Sequence, residues 1–168
     1  GRYSDQTIYD QIHNLGRQAT GTEERQLYYN AMCDAIDPQL ARATLAISLT
    51  DEIVPEEATS LVIQVAAAGE QKDLAWEFAA RHIHELLAKV ESFSRNNYVP
   101  SILGSFSDAA RADELESYVK KNVSPDALVK AQETAAEIRF KASLKQRELP
   151  AIDRWVANSL TNQKPNEN

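Results

Sequence analysis

The sequence predicts an all-α fold of antiparallel helix pairs in an irregular HEAT-like array, a form of α-solenoid, and three observations lead there. Twenty-four alanines stand against five glycines and six prolines, so helix formers far outnumber turn residues and an all-β fold is disfavoured. Apolar residues recur at three- and four-residue spacing along almost the whole chain. The joints between these runs are short, which forces antiparallel neighbours, either in a closed bundle or in a curved array. No tetratricopeptide or ankyrin period is present, and the surroundings of Trp76 lack the tetratricopeptide signature, so any repeat is irregular.

In the first helix Ile8, Ile12 and Leu15 share one stripe, Ser4 or Asp5 can cap the start, and Gly16 is the expected stop. Thr20 with Glu23 offers a capping box for a second helix carrying Leu27, Tyr28, Met32, Ala35 and Ile36. Asp37 followed by Pro38 pairs an N-cap with a first-turn proline and opens a third, with Leu40, Ala43 and Ile47. Pro55, Glu56 and Glu57 start a fourth, the acids facing the positive end of the helix dipole. Its expected buried face is Leu61, Val62, Val65 and Ala66, and Gly69 its expected stop. Asp73 is the expected cap of one long pattern through Leu74, Phe78, Ile83, Leu86, Leu87 and Val90. Residues 92–107 read as a connector with one short helix around Val99, Ile102 and Leu103. Helices then follow over about 108–122, 125–147 (capped by Ser124) and 150–160, where Pro150 opens the last.

A length of 168 residues suits one domain, which can bury about 70% of its unfolded surface. Residues 1–160 are read as a single helical domain and 161–168 as a polar tail that frays. The net charge of -7, with no basic run longer than Lys120-Lys121, argues against nucleic acid, which needs a concentrated basic face. No stretch approaches the roughly 18 apolar residues of a membrane span, and no leader pattern opens the chain, so a soluble fragment of unassigned compartment is expected. The start at Gly1 in place of Met points to a processed product or an excised piece, and an open array without a polar first face points the same way.

No stretch holds a complete catalytic constellation. A zinc-protease helix needs His-Glu-x-x-His, because residues four apart face one way and both imidazoles must reach one ion. His84 and Glu85 fit, but Ala88 stands at the second ligand position, and His82 diverges from His84 on a helix. Gly16 and Gly21 have phosphate-loop spacing, yet Thr22 and Glu23 replace the lysine and hydroxyl residue, so the phosphates lack their cation. Gly104-Ser105-Phe106 lacks the second glycine and the strand of a nucleophile elbow. Cys33, the sole cysteine, excludes an internal disulfide and a multi-thiolate metal site, and beside Met32 it reads as a packed small hydrophobe. A thiolate enzyme built on it would need His13, His82 or His84 alongside.

One ordered set of segments resembles a known family. Leu74-Ala75-Trp76-Glu77-Phe78, with Gly69 before and Leu86 after, is similar to a helix in the C-terminal domain of the zinc aminopeptidases that include aminopeptidase N and the puromycin-sensitive and endoplasmic-reticulum enzymes. Upstream, residues 28–36, Asp37-Pro38 and 40–49 with Asp51, Glu52 and Ile53 resemble the same domain. Downstream, Phe106-Ser107, residues 115–119, Ile138 and the stretch from Ile152 to Trp155-Val156 do likewise, so nearly the whole chain from Tyr3 to Val156 is covered. The pattern departs at His82-Ile83, where the family carries Asn-Trp, at Tyr118-Val119, where it carries Phe-Phe, and at Leu144, where a tryptophan is usual.

The resemblance implies a parent enzyme that removes N-terminal residues from peptides with one zinc ion. Its His-Glu-x-x-His helix and a further glutamate ligand lie in an upstream thermolysin-like domain, so zinc is expected there and no cofactor in this chain. This chain is then the non-catalytic C-terminal domain, a bowl of helices that closes over the active site and encloses a peptide chamber. Its partners are the upstream catalytic domain of the same polypeptide and the peptide substrates. Arg81, Arg139 and Lys145 are candidates for the chamber wall, since inner-surface cations can hold a peptide's carboxylate. The other reading is a free-standing helical module that presents a concave face to another protein.

Overall fold

Local chemistry starts four of the nine helices in the computed structural model, which describes residues 1–68 and 70–161. Asp5 opens α1 (Gln6–Gln18) by accepting the Ile8 backbone N–H at 2.9 Å. Asp37 accepts from the Gln39 and Leu40 N–H groups to open α3 (Pro38–Ile47), with Pro38 in its first turn as expected. Glu56 and Glu57 occupy the first turn of α4 (Pro55–Ala68). Asp108 caps α8 (Ala109–Asn122) through the Ala110 N–H. The remaining helices are α2 (Thr22–Cys33), α5 (Lys72–Arg81), α6 (Ile83–Lys89), α7 (Arg95–Leu103) and α9 (Ala127–Thr161). Among the described residues the fold is all-α, with nine helices and no strand.

The helices pack in two rows. In one row α2, α4, α7 and α9 touch in succession; α1, α3, α5 and α8 pack across them. The core follows the predicted faces in α4, where Leu61, Val62, Val65 and Ala66 are all buried, and in α7, where Val99, Ile102 and Leu103 are. In α9 the first three turns seat Ala127, Ala131, Ala135 and Ile138 against α7 and α8, the small side chains allowing close approach of the backbones. Beyond them, residues 143–158 of α9 are exposed on every face.

Several expectations are corrected. Gly16 does not stop α1; it is buried inside the helix, because Tyr29 of α2 packs where a side chain would stand. The α1 stripe is also shifted: Tyr9 is buried while Ile8 and Leu15 remain 45% and 46% exposed. Tyr9 takes the core position because its hydroxyl reaches Thr44 of α3 at 2.9 Å, satisfying both buried groups. Thr20 and Glu23 form no capping box; α2 begins after Gly21 with no side-chain cap. In α3, Ala43 is exposed and Ala41, Thr44 and Leu45 supply the buried face beside Leu40 and Ile47.

Asp73 lies within α5 rather than capping it, and pairs with Arg111 of α8 at 2.5 Å. The long pattern from Leu74 to Val90 breaks at His82, which ends α5 and begins α6. Pro150 opens no new helix; it sits inside α9, in a stretch exposed on every face, where the hydrogen bond it removes is not a buried one. The expected stop at Gly69 and the tail beyond residue 161 lie outside the described residues.

Candidate functional site

The stretches weighed for catalysis resolve into structure. His82 Nδ1 sits 2.6 Å from Glu85 Oε2, and its ring lies 4.8 Å from that of Phe78. His84 and Ala88 are exposed on α6. Cys33 is buried, its thiol donating to the Tyr29 carbonyl at 3.4 Å, and burial pushes its pKa up to about 12. It therefore stays a protonated thiol at neutral pH, too weak a nucleophile for catalysis. Ser105 Oγ donates to the Ile102 carbonyl at 3.0 Å, a local bond at the end of α7. Among the described residues no group of three His, Cys, Asp or Glu side chains is placed to hold a metal ion.

A polar cluster that periodicity cannot reveal joins α1, α2 and the α3–α4 connection. Glu52 Oε1 accepts from the Tyr29 hydroxyl at 2.6 Å and lies 2.5 Å from His13 Nε2. The His13 ring stands edge-on to Tyr29 at 5.9 Å and tilted to Tyr9 at 6.2 Å. Burial raises the Glu52 carboxyl, but the hydrogen bonds from Tyr29 and His13, with the charges of His13 and Arg17, outweigh it and hold the group below its ordinary value. Its folded pKa thus lies under the unfolded one, so its contribution to stability is present above about pH 4.5 and fades as pH falls through the folded value. Thermal melts between pH 7 and pH 3 should show Tm dropping less in Glu52→Gln than in the unaltered chain. Equal losses in the two proteins would remove Glu52 as a source of acid sensitivity.

Several concave regions lie on the surface. Between α2 and α4 lie two concavities whose linings share Asn30 and Gln64. The first, about 160 Å³, is lined by Gln26, Tyr29, Glu57 and Ser60 among others; the second, about 460 Å³, by Leu27, Ala31, Asp34, Ala67 and Ala68. A wider cleft of about 780 Å³ lies where α6 and α7 meet the α8–α9 turn, with His84, Arg95, Asn122 and Asp126 on its walls.

The structure does not unite the three candidate cations. Arg139 is taken up by α8, its guanidinium bonding Asp113 at 2.6 Å and Glu116 at 3.0 Å, and these carboxylates raise its pKa, Glu116 most. Arg81 ends α5 and Lys145 lies on the exposed part of α9; both are exposed and, among the described residues, make no ion pair. Arg139 and Lys145 are six residues apart, about 120° around the helix, so they face different ways. Compared with known protein families, residues 1–140 match the family model described as the ERAP1-like C-terminal domain.

Proposed function

The chain belongs to the ERAP1-like C-terminal domain family, and on that premise we propose that it is the non-catalytic domain that closes over the active site of an aminopeptidase and walls its peptide chamber. Membership makes it one domain of a larger aminopeptidase polypeptide. The match over residues 1–140 is the observation that carries the reading. It is supported by the two-row packing, which leaves one row of helices free to form an inner, HEAT-like wall. Zinc and the chemistry of removing N-terminal residues belong, on this reading, to the upstream catalytic domain. Selection of peptides falls to the shape and charge of the wall, where Arg81 and Lys145 are open to a substrate carboxylate and Arg139 is shared with α8.

The test has two arms. The purified chain should release no amino acid from aminoacyl substrates, with or without added zinc. Removing this region from the parent enzyme should preserve cleavage of small aminoacyl reporters while flattening its preference among peptides of different length. Activity in the isolated chain, or unchanged length preference after the deletion, would overturn the proposal.

A further inference from the structure

The row of helices ends at α9, and that end is not polar. One side of α9 packs on α7 and α8, while the opposite side presents Val129, Phe140, Leu144 and Trp155 to solvent, with Val129 66% and Phe140 67% exposed. Val129, Phe140 and Ala151 recur at eleven-residue intervals, as do Glu133, Leu144 and Trp155, and eleven residues make almost three full turns. The stripe therefore keeps to one face along the helix. Among the described residues nothing lies over it. A stacked helical array stays soluble when its last element has a polar outer face, and an apolar one invites a further layer.

The spacing is that of any helix face, so the residues at each position decide which layer fits. When a second α9 is turned antiparallel about a two-fold axis at Phe140, Val129 meets Ala151, Ala136 meets Leu144 and Glu133 meets Arg147, each pair formed twice. Large side chains then face small ones, and acid faces base. A parallel alignment sets Glu133 on Glu133 and Arg147 on Arg147, which repel. At the axis Phe140 meets its own copy, and the cations beside it are drawn away. Arg139 bonds Asp113 and Glu116 of α8, and Lys141 donates to the Gly104 carbonyl at 2.8 Å. Glu133 and Arg147 are held only by exposed neighbours, Lys130 at 3.1 Å and Glu148 at 2.7 Å, and such pairs are worth little in water. They are free to exchange partners.

We propose that the outer stripe of α9 is a self-association surface, on which a second copy of this chain lays its own α9 antiparallel, centred on Phe140. The half of α9 that is exposed on every face, residues 143–158, then lies along the packed half of the other copy's helix. From Val129 to Ala151 the contact runs about 33 Å along a helix about 10 Å wide, a small interface, so a reversible dimer with a Kd on the order of 10 µM is expected.

Sedimentation equilibrium of the full chain tests it. A monomer–dimer equilibrium with no larger species is expected, because a two-fold contact closes on itself. Phe140→Glu puts two carboxylates at the axis and should weaken dimerisation at least about 10-fold. Glu133→Arg should also weaken it, and adding Arg147→Glu should restore the affinity of the unaltered chain, since the pair is only reversed. Leu27→Glu, at a 68% exposed apolar position on α2, should leave the affinity unchanged. All four positions are exposed, and circular dichroism melts check that each variant folds; were Phe140→Glu to unfold, the charge reversal carries the test alone. A chain that stays monomeric at about 100 µM, as when a further helix of the parent polypeptide covers this face, would overturn the proposal. Open-ended oligomers, equal weakening by Leu27→Glu, or a double reversal that restores nothing would do the same.

Discussion

Trp76→Ala is expected to destabilise the chain by about 4 kcal/mol, the range for deleting a large buried aromatic side chain. Trp76 is 3% exposed, and its indole N–H donates to Glu114 Oε1 at 2.6 Å. The ring stands edge-on to Tyr118 at 4.8 Å, and Tyr118 in turn donates to the Ala80 carbonyl at 3.0 Å. Arg111 completes the arrangement by bonding both Glu114 and Asp73. Side chains centred on one indole thus join α5 to α8, and truncation leaves both a cavity and a carboxylate stripped of its neutral donor. Trp76→Phe keeps most of the apolar contact and should cost about 2 kcal/mol. Urea unfolding followed by far-UV circular dichroism measures both, because Trp155 is 69% exposed and would confuse a fluorescence signal. A loss below about 1.5 kcal/mol for the alanine variant would mean that the site collapses around the gap.

Gly16 gives a test in which the sign matters more than the size. Gly→Ala inside a helix ordinarily stabilises by about 1 kcal/mol. At position 16 a Cβ would stand 3.0 Å from Tyr29 Cε2 and 3.3 Å from Tyr28 Cβ. Tyr29 cannot readily retreat, since its hydroxyl is tied to Glu52 and its ring to His13. Gly16→Ala is therefore expected to destabilise, by about 1 kcal/mol, and Gly16→Val by about 3 kcal/mol, as overpacking does. In a Tyr29→Ala background the ring is gone, and Gly16→Ala should return to stabilising by about 1 kcal/mol. A double-mutant cycle measured by denaturant unfolding reads this coupling; simple additivity would show that the α1–α2 contact is looser than its geometry implies.

The starts of α1, α3, α4 and α8 were legible in the sequence, whereas the expected capping box at Thr20 and cap at Asp73 do not form. The Asp37-Pro38 and Pro55-Glu56-Glu57 signals act within one turn on backbone groups adjacent in sequence, and nothing distant competes with them. Helix ends and buried faces were less legible. Gly16 carries the composition of a stop signal, but its smallness is used for close approach to Tyr29, a contact made across the α1–α2 turn. Tyr9 loses to Ile8 on any apolar scale, yet it takes the core because Thr44, thirty-five residues away, satisfies its hydroxyl. The union of Glu52 with Tyr29 and His13 leaves no periodic trace, since its members come from α1, α2 and the α3–α4 connection.

The sequence by itself determined an all-helical chain, the openings of α3, α4 and α8, the buried face of α4 and the family to which the domain belongs, because all of these depend on short-range pattern. Only the tertiary structure decided that His82 splits one helix into two, that Arg139 is occupied by α8, and that amides from α2 and α4 line the same concavities. Those outcomes depend on which atoms lie opposite one another after the rows have packed, and residues distant along the chain meet at distances that no local rule encodes.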